Sequence, residues 1–429
     1  MLTVRKLFAL LTVVALLLSM AAVASAEENV TITLAIHVAN CAEQEPAVYA
    51  AIQAFQEANP DVTIDLIENA SEDHITQMRL WAQTGELPDI FWCTEGDVPE
   101  YGNNGFLLPL DEFLETYPEV SGALSDAMKS CYVNENGEII GLPYTSLVTG
   151  FYYNKAIFDE YGVEYPSDAT TYEDVLSMIE TFSEGGMTTF AQGAMTNYSV
   201  WGWLDCLLRY GYVENVAALT AGEASSAIFS PLFDKLGEMG EMGAFPANMA
   251  TIDYFEAKNL FTTGQAAIFT SGQWDAAEIG TALGDDVGFW WGMQFSDSEY
   301  AQNINNQFGN APFVVSASVG EDAAKKDAVY RFLAFYFGEE GSAILYENSN
   351  MPATNYEDLE FTNDNPAFAE IAAALANGNT SITAANPVAT LSPTINEPFY
   401  DALNSLMLNN ITTEEAVEII DAAIAEAAM

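Results

Sequence analysis

Alternating apolar and polar residues near the start of the chain predict a β-strand, and the segments after it predict a regular βα order. Every second residue from Val30 to Val38 is apolar, so one face of this strand is expected to be buried. Residues 45–58 then carry apolar side chains at helical spacing. A second strand is predicted over residues 62–67, a helix over residues 72–84 and a third strand over residues 89–92. This order predicts a parallel sheet with right-handed crossovers, in which ligands bind beyond the carboxyl ends of the strands.

Strand and helix patterns alternate through most of the remaining chain, which predicts an α/β protein. The predicted strands cover residues 149–154, 266–270 and 313–316. The predicted helices cover residues 172–182, 201–210, 323–337 and 413–428. Thr412 or Thr413 is placed to cap the last of these helices. No short repeat and no long low-complexity linker interrupts this order.

The first 26 residues predict an export signal rather than part of the fold. Arg5 and Lys6 precede an apolar run over residues 7–18, and Ala24-Ser25-Ala26 supplies the small residues of a cleavage site. The run is short for a membrane span, although a retained anchor is the alternative interpretation. No Cys stands beside the cleavage site, so the usual lipid-anchoring position is not visible. We therefore expect an exported, extracytoplasmic protein, in the periplasm or at the cell surface.

The charge balance reflects few bases rather than many acids. The chain has 11 Lys and Arg against 62 Asp and Glu, a net charge of −51, yet only 17% of its residues are charged. The usual charged fraction is about 25%. Removal of residues 1–26, which carry two bases and no acid, leaves 403 residues with a net charge of −53. Such a chain repels nucleic acid and anionic membranes, and its few cations poorly suit phosphate-rich ligands.

The chain has few residues that could form a metal site or a hydrolytic catalytic triad. The chain has two histidines, His37 and His74, and four cysteines without metal-binding C-x-x-C spacing. The cysteines are Cys41, Cys93, Cys131 and Cys206. Because Cys41 and Cys93 follow strands predicted to be neighbours, a disulfide at the ligand-facing edge is one hypothesis, and four buried thiols are the other. No nucleotide-binding or hydrolase motif occurs, so we expect no cofactor.

Short sequence segments follow one another in a characteristic order across nearly the whole chain. They are 32–60, 85–92 with 105–110, 141–144 with 152–155, 261–268 with 271–274, and 332–341 with 351–353. In this order they resemble the extracellular solute-binding proteins (family 1) of ABC transporters, the maltose-binding-protein-like carbohydrate receptors. The resemblance implies a two-lobed periplasmic-binding-protein fold of type II, whose lobes trap the ligand between them.

The resemblance also implies a hinge that the chain crosses three times, near Ser146, Asn310 and Ala353. The first lobe is expected to comprise residues 27–146 plus 310–352. The second lobe is expected to comprise residues 147–309 plus 353–429. The family's lipid-anchoring Cys is missing, so the mode of surface attachment stays open.

Strand ends and the resemblance together select candidate ligand-binding residues. A sugar offers apolar C–H faces and a ring of hydroxyl groups, which suit aromatic planes and carboxylate or amide side chains. The candidates are Asn40, Glu43, Glu95, Asp97, Tyr144, Trp201, Trp274, Asp275, Asn310 and Phe399. Trp274 is similar to the family's sugar-stacking Trp, and Asn40 and Glu43 follow the first strand at its carboxyl end. No residue is a candidate for catalysis or for metal binding.

Several of these residues have a structural alternative. Asp275 as a helix N-cap, Glu43 as a first-turn acid and Tyr144 as a hinge-packing residue are the competing interpretations. Of Glu95 and Asp97, one is expected to contact ligand and the other to be a solvated loop acid. The residues expected to be structural are Trp92 and Trp203 in the core and Arg79 and Lys155 in salt bridges. Trp290 and Trp291 are expected on opposite faces of a strand.

The resemblance implies a receptor rather than an enzyme. It would capture a sugar or oligosaccharide outside the cell and deliver it to the membrane permease subunits of an ABC transporter, acting as a monomer and without nucleic acid. One alternative is a glycoside hydrolase, since two of the many carboxylates would suffice for that chemistry. The other is a binding protein for polyamine or another cationic solute, whose affinity would fall steeply with salt.

Overall fold

The computed structural model describes residues 29–195, 197–304, 306–356, 359, 363–376, 387–388 and 391–428. The predicted export signal, residues 1–26, lies outside the described residues. Each helix within the described ranges is too short or too polar to span a membrane.

The strands form two separate sheets. They are β1 (Val30–Ile36), β2 (Val62–Glu68), β3 (Ile90–Trp92), β4 (Leu142–Pro143), β5 (Ser146–Asn154), β6 (Thr188–Ala191), β7 (Ala266–Gly272), β8 (Val287–Trp290), β9 (Gln307–Gly309) and β10 (Pro312–Val315). The first sheet has the order β2-β1-β3-β10-β4, and the second has the order β6-β7-β5-β8, with β9 added on β5. Two sheets confirm the predicted two-lobed α/β architecture, and we call the two halves the first and second lobe.

Helices surround both sheets. In the first part of the chain they are α1 (Cys41–Gln44), α2 (Pro46–Ala58), α3 (Ser71–Thr84), α4 (Val98–Asn103), α5 (Asp111–Thr116), α6 (Pro118–Ala123), α7 (Asp126–Ser130), α8 (Lys155–Tyr161), α9 (Tyr172–Glu184) and α10 (Trp201–Leu208). They continue as α11 (Tyr212–Thr220), α12 (Ser230–Glu241), α13 (Tyr254–Thr262), α14 (Ala276–Leu283), α15 (Ala323–Tyr336), α16 (Glu339–Glu347), α17 (Pro366–Ala376), α18 (Pro393–Met407) and α19 (Thr413–Ala427). Thr412 caps α19 in a capping box with Glu415.

The first lobe is built as the sequence pattern predicts, with one exception. β1 pairs in parallel with β2 and β3, which confirms the predicted parallel arrangement of these strands. β10 runs antiparallel to both of its neighbours, because it enters the sheet from the second lobe. The alternating apolar side chains Ile32, Leu34 and Ile36 pack against the apolar face of α2. Each such fully buried side chain contributes about 1.5–3 kcal/mol of transfer free energy.

The second lobe has a mixed sheet that is covered on both faces. β5 is antiparallel to β7, β8 and β9, whereas β6 is parallel to β7. Trp290 and Trp291 lie in separate apolar clusters on opposite sides, as adjacent strand residues should. Both are nevertheless buried, because helices cover each face. Trp203 is fully buried, as predicted.

The chain passes between the two sheets at several points. Tyr144 and Thr145 connect β4 in the first sheet to β5 in the second, and Asn310 and Ala311 connect β9 to β10. Farther along, α16 packs on α2 of the first lobe, and α17 packs on β8 of the second. The residue boundaries of the lobes stay a prediction.

Candidate functional site

A cavity of about 460 Å³ lies where the two lobes meet. The first lobe lines it with His37, Glu43, Gln44, Glu45, Pro46, Ala47 and Trp92. The connecting segments contribute Tyr144, Thr145, Asn310, Asn348, Ser349 and Asn350. The second lobe adds Leu147, Gln273, Trp274 and Ala277. The cavity therefore joins aromatic rings and amides from both lobes with carboxylates from the first.

The first-lobe wall begins where β1 ends. Asn40 caps α1 by accepting a hydrogen bond from the backbone amide of Glu43. Glu43 therefore stands in the first turn of this short helix, and its exposed side chain lines the cavity. Glu45 follows at the start of α2, and its Oε1 accepts a hydrogen bond from the Tyr144 hydroxyl at 3.1 Å. Burial raises the pKa of Glu45 to about 7, against the lowering effect of the Tyr144 hydrogen bond. This carboxyl group is therefore partly protonated at neutral pH.

Both histidines of the chain lie against Trp92. The His37 and Trp92 rings stack with centroids 4.1 Å apart and an interplanar angle of 19°. His74 meets Trp92 edge-on, and its Nε2 is 2.8 Å from the Trp92 carbonyl oxygen. Burial, with a smaller contribution from His74, lowers the pKa of His37 to about 4. His37 is therefore a neutral aromatic ring at physiological pH, and no described residue that lines the cavity carries a positive charge.

The connecting segments and the second lobe supply amide side chains whose orientation is set by hydrogen bonds. Asn310 donates from Nδ2 to the Thr145 hydroxyl at 2.9 Å and accepts the Ala311 amide at 2.8 Å. Gln273 accepts the Val148 amide at 2.8 Å and donates to the Ser146 carbonyl at 3.1 Å. These contacts fix the amides that face the cavity.

The second-lobe wall is dominated by an exposed indole. Trp274 keeps 40% of its surface exposed, an unusual state for a Trp, and the exposed surface lines the cavity. Its Nε1 donates a hydrogen bond to the Tyr254 hydroxyl at 2.9 Å. Trp201 contacts it edge-on, with ring centroids 5.6 Å apart. An indole face presented in this way can stack on an apolar ligand face.

The structure brings several predicted ligand residues to this cavity. Glu43, Tyr144, Trp274 and Asn310 line it, and Trp201 contacts Trp274. Asn40 lies beside the cavity as the cap of α1.

Glu95 lies between the lobes without lining the cavity. Its side chain contacts the Tyr132 hydroxyl, which donates its proton to the Asn310 carbonyl at 2.8 Å. Burial raises the pKa of Glu95 to about 7. Burial and the charge of Glu95 both raise the pKa of Tyr400, a residue of α18 in the second lobe.

Three other predicted ligand residues are placed elsewhere. Asp97 is buried and pairs with Arg79 at 2.9 Å. Asp275 is buried and bonds to Lys258, Ser271 and Tyr254, and it makes no side-chain cap to α14.

Phe399 is the third of these residues. It packs in the second-lobe core, with its ring 6.3 Å from those of both Phe229 and Phe233. It therefore lies away from the cavity.

Sequence reasoning missed several residues of the cavity wall. Trp92 packs against the first-lobe core, as the sequence predicts, but it also lines the cavity. The sequence does not select His37, Glu45 or Gln273 as ligand residues, although they line the cavity too. His37 stands at the carboxyl end of β1, so the strand-end rule could have selected it. Gln273 had no comparable signal, because its role depends on backbone groups of β5.

None of the four cysteines, all of them described residues, forms a disulfide. Cys41 and Cys93 lie in apolar clusters on opposite faces of the first sheet, so the disulfide hypothesis is wrong. Arg79 and Lys155 form salt bridges, the latter with Glu370 at 2.6 Å, as expected. Among the described residues no group of three or more potential ligands is placed to hold a metal ion.

A two-lobed α/β protein with a cavity lined from both lobes has the architecture of a ligand-binding receptor. Residues 50–385 match the model of the bacterial extracellular solute-binding proteins, and the chain belongs to this family. The family is one of binding proteins, which agrees with a receptor rather than an enzyme.

The similar proteins are named for different ligands. The chain is 21% identical to a multiple sugar-binding protein of Streptococcus mutans, over 75% of this chain and 78% of that protein. It is 24% identical to an sn-glycerol-3-phosphate-binding periplasmic protein of Brucella melitensis, over 61% of each chain. The fold is also similar to a solved chitin oligosaccharide binding protein, with a TM-score of 0.75, 20% identity, and coverage of 94% of this chain and 99% of that one.

Proposed function

We propose that this protein is the extracytoplasmic receptor of an ABC transporter, that it captures a neutral sugar or oligosaccharide in the interlobe cavity, and that it delivers the ligand to the permease. The observation that carries the proposal is the pairing of an exposed Trp274 face with a polar wall that has no Lys or Arg among its described residues. The indole suits the C–H face of a pyranose, and the amides suit its hydroxyl groups. A relative named as a multiple sugar-binding protein supports this ligand class.

A phosphorylated ligand is disfavoured, although one relative is named for glycerol 3-phosphate. Tight binding of phosphate uses Arg, Lys or an array of backbone amides. No Lys or Arg is found among the described residues that line the cavity, and His37 is neutral at physiological pH. Placing a phosphate beside Glu43 and Glu45 would add repulsion without a compensating cation.

A cationic ligand is disfavoured for a different reason. Of the two carboxyl groups in the cavity wall, Glu45 is partly protonated at neutral pH because burial raises its pKa to about 7. The remaining polar wall consists mainly of amides and hydroxyl groups. A polyamine offers hydrogen-bond donors but no acceptors, so it would leave the amide and hydroxyl donors of the wall unmatched, whereas a sugar hydroxyl serves both donors and acceptors.

The proposed ligand residues are Glu43, Tyr144, Trp274 and Asn310, supported by their positions in the cavity wall, with His37 and Trp92 added from the first lobe. The lobes would comprise residues 27–146 plus 310–352 and residues 147–309 plus 353–429. Closure of these lobes on the ligand would shift an open–closed equilibrium, and the permease would recognise the closed form. The receptor would act as an exported monomer.

A thermal-shift screen of the chain without residues 1–26 tests the ligand class. A ligand that binds the folded state raises the melting temperature in a concentration-dependent way. Neutral oligosaccharides are expected to raise it, whereas glycerol 3-phosphate and spermidine are expected to leave it unchanged. Stabilisation by glycerol 3-phosphate or spermidine, with none by any sugar, would reject the proposal. Release of reducing ends from a stabilising sugar would instead indicate a glycoside hydrolase.

A further inference from the structure

The orientation of the Trp274 indole is set by a chain of hydrogen bonds that leads away from the cavity. Nε1 of Trp274 donates to the Tyr254 hydroxyl at 2.9 Å, and that hydroxyl donates to Asp275. Asp275 also accepts from Ser271 at 2.5 Å and pairs with Lys258 at 3.1 Å. Because the indole has one polar atom, anchoring that atom fixes the direction in which the ring faces point.

The anchoring residues are buried and therefore hold their geometry. Tyr254, Lys258, Ser271 and Asp275 each keep less than a tenth of their surface exposed. Lys258 is held at its other side by Glu278 at 2.5 Å. A fully bonded polar network in a buried environment has few alternative arrangements, so it forms a rigid support for Trp274.

A glycine allows the indole to lie against the strand end. A Cβ atom at Gly272 would overlap the six-membered ring of Trp274. The backbone there is itself fixed, because the Gly272 carbonyl accepts a hydrogen bond from the buried Tyr152 hydroxyl at 2.8 Å. The indole is therefore held by a hydrogen bond at its polar edge and by close packing beneath its six-membered ring.

We propose that Tyr254 is the positioning residue for ligand recognition: with Asp275 behind it and Gly272 beneath the ring, it holds the Trp274 face toward the cavity before ligand arrives. This inference rests on the proposed carbohydrate function. It explains why Asp275, adjacent to Trp274 in sequence, does not face the cavity. A preorganised platform removes the ordering cost from binding, so loss of the anchor weakens affinity although no ligand contact is deleted.

A double-mutant cycle separates positioning from a general structural effect. Tyr254→Phe removes only the hydroxyl, and it is expected to weaken binding of the carbohydrate found in the screen by about fivefold, which corresponds to the loss of about one hydrogen bond. In a Trp274→Phe background the ring has no N–H to anchor, so the same change is expected to alter affinity less than about twofold. Tyr330→Phe is the matched control, because this buried tyrosine of the first lobe has no hydroxyl partner among the described residues.

Indole NMR of the ligand-free protein gives a readout that does not depend on the ligand. The chain has seven tryptophans, so Trp274→Phe identifies the Trp274 Nε1–H resonance by its disappearance. Tyr254→Phe is expected to shift this resonance and to speed its exchange with solvent, while Tyr330→Phe leaves it unchanged. Gly272→Ala keeps every hydrogen-bonding group but displaces the ring, and it serves as the second variant if Tyr254→Phe does not fold.

The possible results are distinguishable. An unshifted Trp274 resonance in Tyr254→Phe, or an equal loss of affinity in both backgrounds, would overturn the positioning role. If the wild-type chain binds no carbohydrate, the proposed function fails, and the indole resonance alone then decides whether Tyr254 anchors the ring.

Discussion

Tyr144 and Glu45 are linked by a hydrogen bond of 3.1 Å that joins a connecting segment to the start of α2. Burial raises the pKa of Glu45 to about 7 although this bond opposes the shift. The pair therefore carries a testable dependence of stability on pH.

We expect the stability difference between wild type and Glu45→Gln to change with pH. Because the folded-state pKa lies above the unfolded-state value, Glu45 is favourable when protonated, and its contribution is lost as pH rises through about 7. Glu45→Gln should thus gain stability relative to wild type between pH 5 and 8, with a slope of at most about 1.4 kcal/mol per pH unit. Urea unfolding at four pH values measures this, and a pH-independent difference would contradict the assignment. Comparison with the variant cancels the opposing contribution of His37, whose pKa is lowered.

Asp97 and Glu43 should respond differently to loss of charge. Asp97→Asn removes the pair with Arg79, whose side chain is 58% exposed, so we expect a stability loss of about 1 kcal/mol and unchanged sugar affinity.

Glu43→Gln should leave stability nearly unchanged but weaken sugar binding by about tenfold, because it replaces a charged hydrogen-bond acceptor in the cavity wall. Calorimetric titration and urea unfolding of both variants test this. The reverse pattern would place Asp97 at the ligand and Glu43 outside it.

The sequence pattern predicted regular elements well where apolar periodicity and capping agreed. β1, α2 and α19 are found close to their predicted positions. α12 was not predicted, because Gly237 and Gly240 weaken its helical pattern. Gly240 is placed there by packing: a Cβ atom would overlap the Met407 backbone of α18, so the glycine permits close approach of two helices distant in sequence.

The candidate site was only partly predictable, because contacts between residues distant in sequence decide which side chains face the cavity. Strand ends and the family resemblance led to Glu43, Tyr144, Trp274 and Asn310, which line the cavity. They also led to Asp275, whose partners Tyr254 and Lys258 come from a helix about 20 residues earlier and hold it in the interior. A sequence shows that a carboxylate follows a strand, but not which distant cation neutralises it.

Phe399 should behave as a core residue. Phe399→Ala is expected to lower the free energy of unfolding by about 3–5 kcal/mol, because its ring packs against Phe229 and Phe233. Tyr400→Phe, which changes the next residue on the same helix but keeps its ring, should cost far less. Urea unfolding measures both values. A small stability loss for Phe399→Ala together with a large loss of sugar affinity would place Phe399 in the binding site.

The thiol content of the protein is a simple test of its covalent structure. Because none of the four cysteines, all of them described residues, forms a disulfide, titration of the denatured, unreduced chain should yield four thiols. Two or no thiols would show at least one disulfide and would contradict this assignment. Omission of reductant throughout purification preserves any disulfide that exists.

The central claim is that a neutral carbohydrate binds against Trp274. Isothermal titration of the chain without residues 1–26 tests it most directly. We predict one ligand per chain, with an affinity that is unchanged between low and high salt. Trp274→Ala should weaken binding by roughly 30-fold, equivalent to about 2 kcal/mol of lost stacking and burial, whereas Tyr165→Ala, which removes an exposed aromatic ring outside the cavity lining, should have no effect. Wild-type affinity retained in Trp274→Ala, or binding only of a charged solute with a steep loss at high salt, would contradict the account.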